Sequence, residues 1–496
     1  MPVIKRTPAP GESYDATAKP PPFGHELKQY FPLEDDYVNL NHGSYGSVPL
    51  PVTYAAIELG SVIEANPDRF MRFDAKPLLD KSREAVAKFI GAETDEVVFV
   101  SNATHGINSV LRNFEWHAGD VLLGASTTFS AVTQTMQFLA DGPVHARPAL
   151  HIVELNFPRT HAEVLDAFRA KLRELKQAAA GTTFTDVPPL SFGYAAASGT
   201  EKGNKIVAVI DSIASIPGVL MPWKEMVAIC RDEGVWSVID GAHSIGQEPN
   251  INLSEAKPDF WISNGYKWLY TKRAVAVLYV PKRSVLNLIS PPLAMSCVSL
   301  TIGWDRNQSI MKSSLPTSLY YVSPSNARFA AVGTNFVNQH EWLGAHDPIP
   351  HITIPDALAF RNWLGGESAI HAYCNKLARD GAARLATLLG THVMDTSGEL
   401  TLNLSNVLLP LPVEPAPGAV YTPAAFAQID ALFRRRLLFD HKTYAGHWYH
   451  AGGFWARTSA QVYNEMSDFE HVAKAFIAIC DEIKETILAP KAEAIP

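Results

Sequence analysis

The sequence predicts an α/β fold in which a mostly parallel sheet is flanked by helices and is followed by a smaller C-terminal α+β domain. Two observations support this prediction. The chain has 496 residues, of which 47% are apolar, enough for a large core and more than one domain. Short apolar runs with strand character also alternate in part with helical stretches, which is typical of a parallel sheet covered by helices. The runs are 96–101, 120–124, 150–156, 205–211, 235–240, 259–263 and 274–280.

The order of polar, apolar and irregular stretches predicts four regions. Residues 1–28 are polar and proline-rich without an apolar signal core, and they predict a flexible N-terminal arm. An N-terminal segment (29–74), a large domain (75–350) and a small C-terminal domain (351–496) follow. The most regular helical patterns within these regions are 161–180 and the final one near 467–487, whereas 181–204 predicts a surface insertion and 284–350 an irregular wall.

Composition narrows the class of partner. The formal net charge of −8 argues against nucleic acid or an anionic membrane as the main partner, and no apolar run reaches membrane-spanning length. The four cysteines (Cys230, Cys297, Cys374 and Cys480) are far apart and show no CxxC spacing. This pattern predicts isolated thiols in a reducing compartment, and therefore a cytoplasmic protein.

Lys267 stands in an aromatic turn between two strongly apolar segments of the stretch 259–280. Lysine is seldom buried without a partner, and removal from water lowers its pKa, which prepares the amine to attack a carbonyl carbon. Lys267 is therefore a candidate for a Schiff base. The alternative is a lysine whose stem is covered by Tyr266 and Trp268 while its ammonium group stays in water.

Asp240 ends a short buried strand in the stretch 235–246 and is followed by a turn of small residues that contains His243. An acid at the carboxyl end of such a strand points into the crevice where open α/β sheets bind ligands, although alone it is more often a cap or turn residue. Together with Lys267 it matches what pyridoxal phosphate needs: an amine to hold the aldehyde and an acid to keep the pyridine nitrogen protonated.

A strand-like run in 96–114 breaks at Ser101 and Asn102 and resumes with helical spacing. A helix that begins near Thr104 would present free backbone N–H groups and a positive dipole end to a phosphate. The alternative is an ordinary capped helix.

Taken in order, these motifs resemble the class V aminotransferase family of fold type I pyridoxal phosphate enzymes. The resemblance covers the chain from about residue 23 and is nearest to the isopenicillin N epimerase-like branch, which includes the fungal ergothioneine-pathway carbon–sulfur lyase and the loline-pathway cyclase. It implies that 75–350 is the pyridoxal phosphate-binding domain and that 29–74 lies at the active-site edge. The motifs are NLNHGSYGSVP (39–49), VVFVSNATHGIN, IDSIASIPGV, IDGAHSIGQ, SNGYKWL and FWARTSAQVYNEMSDFE (454–470).

The resemblance also implies roles for single residues. Lys267 would carry pyridoxal 5'-phosphate and Asp240 would hold its pyridine nitrogen, which makes these two the catalytic pair. Arg457 would bind the substrate carboxylate, for which a two-donor guanidinium is well suited, with Asn41 and His42 at the substrate edge. The remaining cofactor-binding residues would be Ala103, Thr104, His105, Phe129, Ser215, His243, Asn264 and Tyr266.

Three positions depart from the family pattern. Tyr266 stands where histidine is common, and Phe129 stands where the lyase and cyclase branch carries tyrosine. Gly344 and Ala345 stand where a glycine–threonine pair reaches the phosphate of a second subunit. The segment still implies a homodimer with shared active sites, while the exact reaction stays open.

The resemblance implies an enzyme that acts on an amino acid through an external aldimine and a Cα carbanion. The favoured reactions are those of a lyase (β-elimination of the carbon–sulfur type) or a cyclase of fungal-type specialised metabolism. An epimerase or aminotransferase is the alternative within the family, and a cofactor-binding pseudoenzyme or scaffold is the alternative outside it. A metal site is not expected, because HEWLGAH lacks the HExxH spacing and His447 with His450 lacks a further ligand.

Overall fold

The computed structural model describes residues 7–179, 181–185, 203–285, 304–305, 307–323, 335–416 and 418–489. Most of the predicted insertion at 181–204 and part of the predicted irregular wall at 284–350 lie outside these residues.

A seven-stranded sheet forms the centre of the large domain, and each of the seven predicted runs contributes one strand. Its order is β1-β7-β6-β5-β4-β2-β3, and β7 alone is antiparallel to its neighbours. The prediction of a mostly parallel sheet is therefore confirmed. The strands are β1 (Val97–Val100), β2 (Val121–Ala125), β3 (Ala149–Val153), β4 (Ile206–Asp211), β5 (Trp236–Asp240), β6 (Phe260–Asn264) and β7 (Ala276–Tyr279).

Helices cover both faces of this sheet, which is why its inner strands read as nearly continuous apolar runs. In β4, Ile206 and Ala208 belong to one core and Val207 and Val209 to the other, as the two-residue period of a strand requires. The larger helices up to this point in the chain are α1 (Leu50–Ala65), α2 (Ala75–Ile90), α3 (Ala103–Asn113), α4 (Ser130–Ala140), α5 (His161–Ala178) and α6 (Trp223–Asp232).

The smaller C-terminal domain has a core of its own, in which Val407, Phe433, Phe469 and Phe476 are all completely buried. A three-stranded antiparallel sheet with the order β8-β10-β9 lies against its helices. These elements confirm the predicted α+β character. They are α7 (Ile354–Trp363), α8 (Gly366–Leu389), β8 (Leu404–Leu408), α9 (Pro423–Arg435), β9 (Gly446–His450), β10 (Gly453–Ser459) and α10 (Met466–Thr486).

Shorter elements connect these units. The short helices are His42–Tyr45, Pro67–Arg69, Leu253–Ala256, Gly265–Trp268, Phe336–Glu341 and Ile349–Ile352, with 3-10 turns at His25–Tyr30, Thr94–Glu96, Val144–Ala146 and Gln308–Ile310 and π turns at Phe70–Asp74 and Arg436–Asp440. The two-residue strands are Val38–Asn39, Ile213–Ala214, Val219–Leu220, Ser284–Val285, Trp304–Asp305 and Thr443–Tyr444.

The described part of the predicted N-terminal arm is packed on the rest of the protein. The ring centroid of Tyr14 lies 4.6 Å from that of Trp363, and the ring centroid of Phe23 lies 5.0 Å from that of Tyr373. The polar composition of residues 1–28 concealed these two aromatic anchors.

By length and composition alone, the stretch His42–Ala65 could cross a membrane, with a mean hydropathy of 1.2. It is weak evidence for a span, because the helix His42–Tyr45 ends at Gly46, which has a φ of +67°, and α1 begins after Pro49. Val52 and Ile63 of α1 pack into two apolar clusters of the protein.

Candidate active site

A cleft of about 490 Å³ opens at the carboxyl ends of β4, β5 and β6, beside the first turn of α3. This is where open α/β sheets place their ligands. Nine of the predicted site residues line it, namely Ala103, Thr104, Phe129, Ser215, Asp240, His243, Asn264, Tyr266 and Lys267, together with Ser44, Tyr45, Asn102, Asp211, Ile213 and Ala242.

Strand alternation explains why three polar side chains meet in this cleft. Val209, Val238 and Ile262 pack into the core on the α3 side of the sheet. The residues two positions further along their strands must point to the same side. These residues are Asp211, Asp240 and Asn264, and all three line the cleft.

Asp211 and Asp240 are paired in register on neighbouring parallel strands, and both are buried. Burial and the Asp240 carboxylate raise the pKa of Asp211, to which Thr127 Oγ1 donates a hydrogen bond of 3.4 Å. Burial also raises the pKa of Asp240, but the backbone N–H of Ala242 and the charge of Lys267 oppose that rise. Two adjacent buried carboxylates repel each other when both are charged, and Lys267 favours the charged form of Asp240, so the neutral form is favoured more strongly at Asp211.

Lys267 lies in the short helix Gly265–Trp268, which directly follows β6. Its Nζ is 3.0 Å from Nε2 of the buried His243. Burial, and after it the positive charge of Arg457, lowers the pKa of Lys267 to about 7, although Asp240 acts in the opposite direction. A large fraction of this amine is therefore neutral and nucleophilic near neutral pH.

Only part of the predicted phosphate site is open at the first turn of α3. Asn264 Oδ1 accepts the backbone N–H of Ala103, and Asn102 Oδ1 accepts that of His105, each at 2.8 Å. The backbone N–H and the hydroxyl of Thr104 have no partner among the described residues, so Thr104 is the donor that faces the cleft. His105 does not line the cleft, because Asn102 accepts its backbone N–H and its ring contacts the Leu315 carbonyl oxygen, which corrects its prediction as a cofactor-binding residue.

Arg457 of β10 is a buried cation held by neutral oxygens. Its Nη1 donates to the carbonyl of Ser215 at 2.6 Å, and its Nη2 donates to Ser44 Oγ at 2.7 Å and to Asn41 Oδ1 at 3.3 Å. Gly218 permits this arrangement, because a Cβ there would lie 2.7 Å from Arg457 Cδ.

The charge of this guanidinium is not compensated within the described residues. Its Nε has no hydrogen-bond partner, and no carboxylate contacts the group. Burial lowers the pKa of Arg457 to about 10, which leaves it charged at neutral pH. Arg457 does not itself line the cleft, but its partners Ser44 and Ser215 do, so this unpaired cation lies behind the cleft wall and would attract an anion there.

His42 does not lie at the substrate edge, where the sequence placed it. It is 1% exposed, its Nδ1 is 2.9 Å from the hydroxyl of Tyr463, and burial lowers its pKa to about 3. The reason is the short helix His42–Tyr45, which turns Ser44 and Tyr45 toward the cleft and His42 into the interior.

Two of the departures from the family pattern lie at the cleft. Tyr266 is half-buried, and burial raises the pKa of its phenol, so the hydroxyl keeps its proton. Phe129 precedes α4 and remains 43% exposed at the mouth of the cleft. The third departure, Gly344 with Ala345, is exposed on this single chain, and no described residue lies within 4 Å of where a Gly344 Cβ would be.

Sequence reasoning missed several residues of the cleft. Asp211 could have been found, because it ends a predicted strand as Asp240 does. Ser44 and Tyr45 had no such signal, since their position depends on how the N-terminal segment folds over the sheet.

The protein resembles known enzymes along nearly its whole length. The model of the class V aminotransferase family matches residues 48–163 and 196–304. The chain is 31% identical to the L-cysteine desulfhydrase-like protein lolT2 of Epichloe uncinata, across 93% of this chain and 95% of the relative. It is 29% identical to the hercynylcysteine sulfoxide lyase of Schizosaccharomyces pombe, across 92% of this chain and 98% of that enzyme.

Solved structures share the fold at much lower identity. A mutant of C-DES with glycine covalently linked to its PLP cofactor has a TM-score of 0.61 and 14% identity, across 92% of this chain and 99% of that one. The cysteine desulfurase of Thermococcus onnurineus NA1 has a TM-score of 0.58 and 17% identity, across 94% of this chain and 100% of that one.

Proposed function

Since this chain belongs to the class V aminotransferase family, we propose that it is a carbon–sulfur lyase that removes a sulfur substituent from the β-carbon of an amino acid. It is an enzyme dependent on pyridoxal 5'-phosphate. Two groups support an amino-acid substrate. Lys267 lines the cleft with an amine whose pKa burial lowers to about 7. The buried guanidinium of Arg457 contacts the cleft residues Ser44 and Ser215 and no described carboxylate. The sulfur leaving group is supported by the relatives, which are named as cysteine desulfhydrase-like proteins and a sulfoxide lyase.

The residues of the cleft fit pyridoxal phosphate. Lys267 offers an amine for the aldehyde. Asp240 offers a buried carboxylate that accepts, among the described residues, one backbone hydrogen bond, from Ala242 at 3.0 Å. Thr104 offers an unpartnered N–H and hydroxyl at a helix N-terminus for the phosphate. When bound, the cofactor supplies a ring that accepts electrons from the Cα of the substrate.

Different residues of the protein bind the substrate and transfer its Cα proton. Arg457 binds the α-carboxylate through Nε, which has no partner among the described residues, and through Nη2, from which the carboxylate displaces Ser44 and Asn41. This two-donor contact fixes the orientation of Cα. Lys267 Nζ removes the Cα proton, because its lowered pKa leaves the amine unprotonated. Asp240 holds a proton on the pyridine nitrogen, and Tyr266 keeps a hydroxyl proton that can be donated to a departing sulfur.

Product analysis tests this proposal. Purified enzyme with bound cofactor is incubated with S-methyl-L-cysteine and, separately, with its sulfoxide, and keto acid, ammonia and sulfur products are quantified. We expect equal amounts of pyruvate and ammonia with loss of the sulfur substituent, and none of these with Lys267→Ala.

Each alternative reaction has its own signature in the same assay. A D-amino acid would indicate an epimerase, and a keto acid that retains sulfur would indicate an aminotransferase. A cyclised amino acid would indicate a cyclase. Cofactor binding without any product from a broad panel of amino acids would favour a scaffold protein.

We further propose that the enzyme is a homodimer with shared active sites. The exposed turn at Gly344 and Ala345 corresponds to the family segment that approaches the neighbouring phosphate, and Ala345 would contribute backbone donors only. Sedimentation analysis should show a particle of twice the chain mass. A fully active monomer would contradict the shared-site arrangement.

A further inference from the structure

Three side chains form a hydrogen-bonded row that ends at the amine of Lys267. The indole Nε1 of Trp268 donates to Nδ1 of His243 at 3.4 Å. On the other side of the imidazole ring, Nε2 of His243 is 3.0 Å from Lys267 Nζ. Trp268 directly follows Lys267 in the chain, so one short helix supplies both ends of the row.

The chemistry of the indole fixes the direction of these hydrogen bonds. An indole N–H can only donate, so the Nδ1 that it faces must carry a lone pair. A neutral imidazole with a lone pair on Nδ1 carries its proton on Nε2. This Nε2–H points at Lys267 Nζ, and only the neutral amine has a lone pair to accept it.

The indole is held too firmly to turn away from His243. Trp268 is 1% exposed, and Arg361 Nη1 donates to its carbonyl at 2.7 Å. Gly43 lies against the ring, since a Cβ there would be 2.7 Å from Trp268 Cζ2. Gly246 lies equally close to the backbone of Trp268.

We propose that Trp268 is a positioning residue that fixes His243 in the tautomer protonated on Nε2, so that His243 donates to Lys267 and favours its neutral amine. An ammonium at Lys267 would face the Nε2–H with hydrogens of its own. For Nε2 to accept a hydrogen bond from that ammonium, the imidazole would have to carry its proton on Nδ1. The hydrogen bond from Trp268 to Nδ1 would then be lost.

Charged groups around the row act alongside this hydrogen bond. Burial and the charges of Lys267 and Arg457 hold the pKa of His243 well below its usual value, so the ring stays neutral. Arg457 also disfavours an ammonium at Lys267, whereas Asp240 favours it. Trp268 acts on the charge state of Lys267 through a single N–H donor. A substitution that removes this donor therefore leaves the charges of Arg457 and Asp240 in place.

The variant Trp268→Phe removes that donor, and Trp261→Phe is its matched control. Trp261, in the preceding strand β6, is also a fully buried tryptophan, but its Nε1 has no hydrogen-bond partner in the part of the chain that the structure describes. Both variants lose an indole of equal size. The two therefore differ in the hydrogen bond to His243.

The measurement is the rate at which pyridoxal phosphate becomes covalently attached to the cofactor-free protein, followed by absorbance between about pH 5.5 and 9.5. In the wild type we expect the rate to rise with pH through about 7, the pKa of Lys267. In Trp268→Phe the midpoint should move upward by roughly 0.5 to 1 pH unit, the value of one neutral hydrogen bond. Trp261→Phe should keep the wild-type midpoint, and an unchanged midpoint in Trp268→Phe would overturn the proposal.

A second measurement needs no tryptophan variant and so does not depend on whether Trp268→Phe folds. Nitrogen NMR of the ¹⁵N-histidine-labelled, cofactor-free wild type reports which ring nitrogen is protonated, and the His243 signals are assigned by their loss in His243→Gln. We expect a neutral ring protonated on Nε2. A proton on Nδ1 would refute the proposal.

This inference rests on the proposed role of Lys267 as the amine that binds the cofactor. The two failures are distinguishable. If the wild type attaches no cofactor at Lys267, the proposed function fails, whereas the NMR measurement decides the tautomer of His243 independently.

Discussion

The two walls of the cleft are built in different ways. On one wall, His243 and Lys267 are only 24 residues apart in the chain and stand in the turns that follow two neighbouring strands. On the other wall, Arg457 meets Ser215 across 242 residues and Asn41 across 416 residues. The first wall follows from local sequence and strand alternation, whereas the second exists only when two domains and the N-terminal segment have folded together.

The largest effect should come from the wall made by the sheet. Lys267→Ala should lose both the absorbance band of the attached cofactor and all measurable turnover, because attachment and proton transfer depend on one amine. Lys272→Ala, in the same turn region but outside the cleft, is the control and should retain both. Normal turnover in Lys267→Ala would remove this residue from the mechanism.

A smaller effect of a different kind should come from the opposite wall. Arg457→Lys should weaken substrate binding by roughly ten- to a hundredfold, or about 1.5 to 3 kcal/mol, because an ammonium cannot reproduce the two-donor fork. The cofactor band should survive, as measured by titrating it with substrate. Arg436→Lys, whose guanidinium pairs with Glu482 far from the cleft, should bind substrate normally. Equal affinity in both variants would refute the carboxylate role.

The buried pair Asp211 and Asp240 predicts a pH-dependent stability. Burial raises the pKa of Asp211 in the folded state. The contribution of Asp211 to the free energy of unfolding is therefore fully present below about pH 4, the pKa of aspartate in the unfolded chain. This contribution is lost as the pH rises through the pKa of Asp211 in the folded protein. Asp211→Asn mimics the protonated acid. It should therefore raise the melting temperature of the cofactor-free protein by about 1–3 °C at pH 8 and leave it unchanged near pH 4.

The control for Asp211→Asn is Asp166→Asn, on the exposed surface of α5. That variant should show little change in melting temperature at either pH. If Asp211→Asn is destabilising at pH 8, the folded protein favours the ionised form of Asp211, and the raised pKa of Asp211 is wrong.

The smallest effect on catalysis should come from His42. Because its ring is buried away from the cleft, His42→Phe should change substrate affinity less than about twofold. The melting temperature should fall, since the hydroxyl of Tyr463 loses His42 and keeps only Asn39 as a partner among the described residues. A large loss of substrate affinity without a loss of stability would show that His42 contacts the substrate.

The contrast between the walls also explains what the sequence could predict. Asp240 and Lys267 follow apolar runs whose strand character is visible locally, and the order of the runs predicts the sheet. His42 was misplaced because a four-residue helix decides which of its side chains faces the cleft, and no periodicity reveals so short a helix. The contact between Trp268 and His243 has no local signal in the sequence either, because the position of the indole next to Lys267 predicts only a cover for the lysine stem.

The central claim is that Lys267 is the amine that carries the cofactor in this cleft. The most direct measurement is borohydride reduction of the enzyme with bound cofactor, followed by digestion and mass spectrometry of its peptides. The account predicts a pyridoxyl phosphate group on the peptide that contains Lys267 and on no other lysine. A group on a different lysine, or none in a protein that turns over substrate, would contradict it.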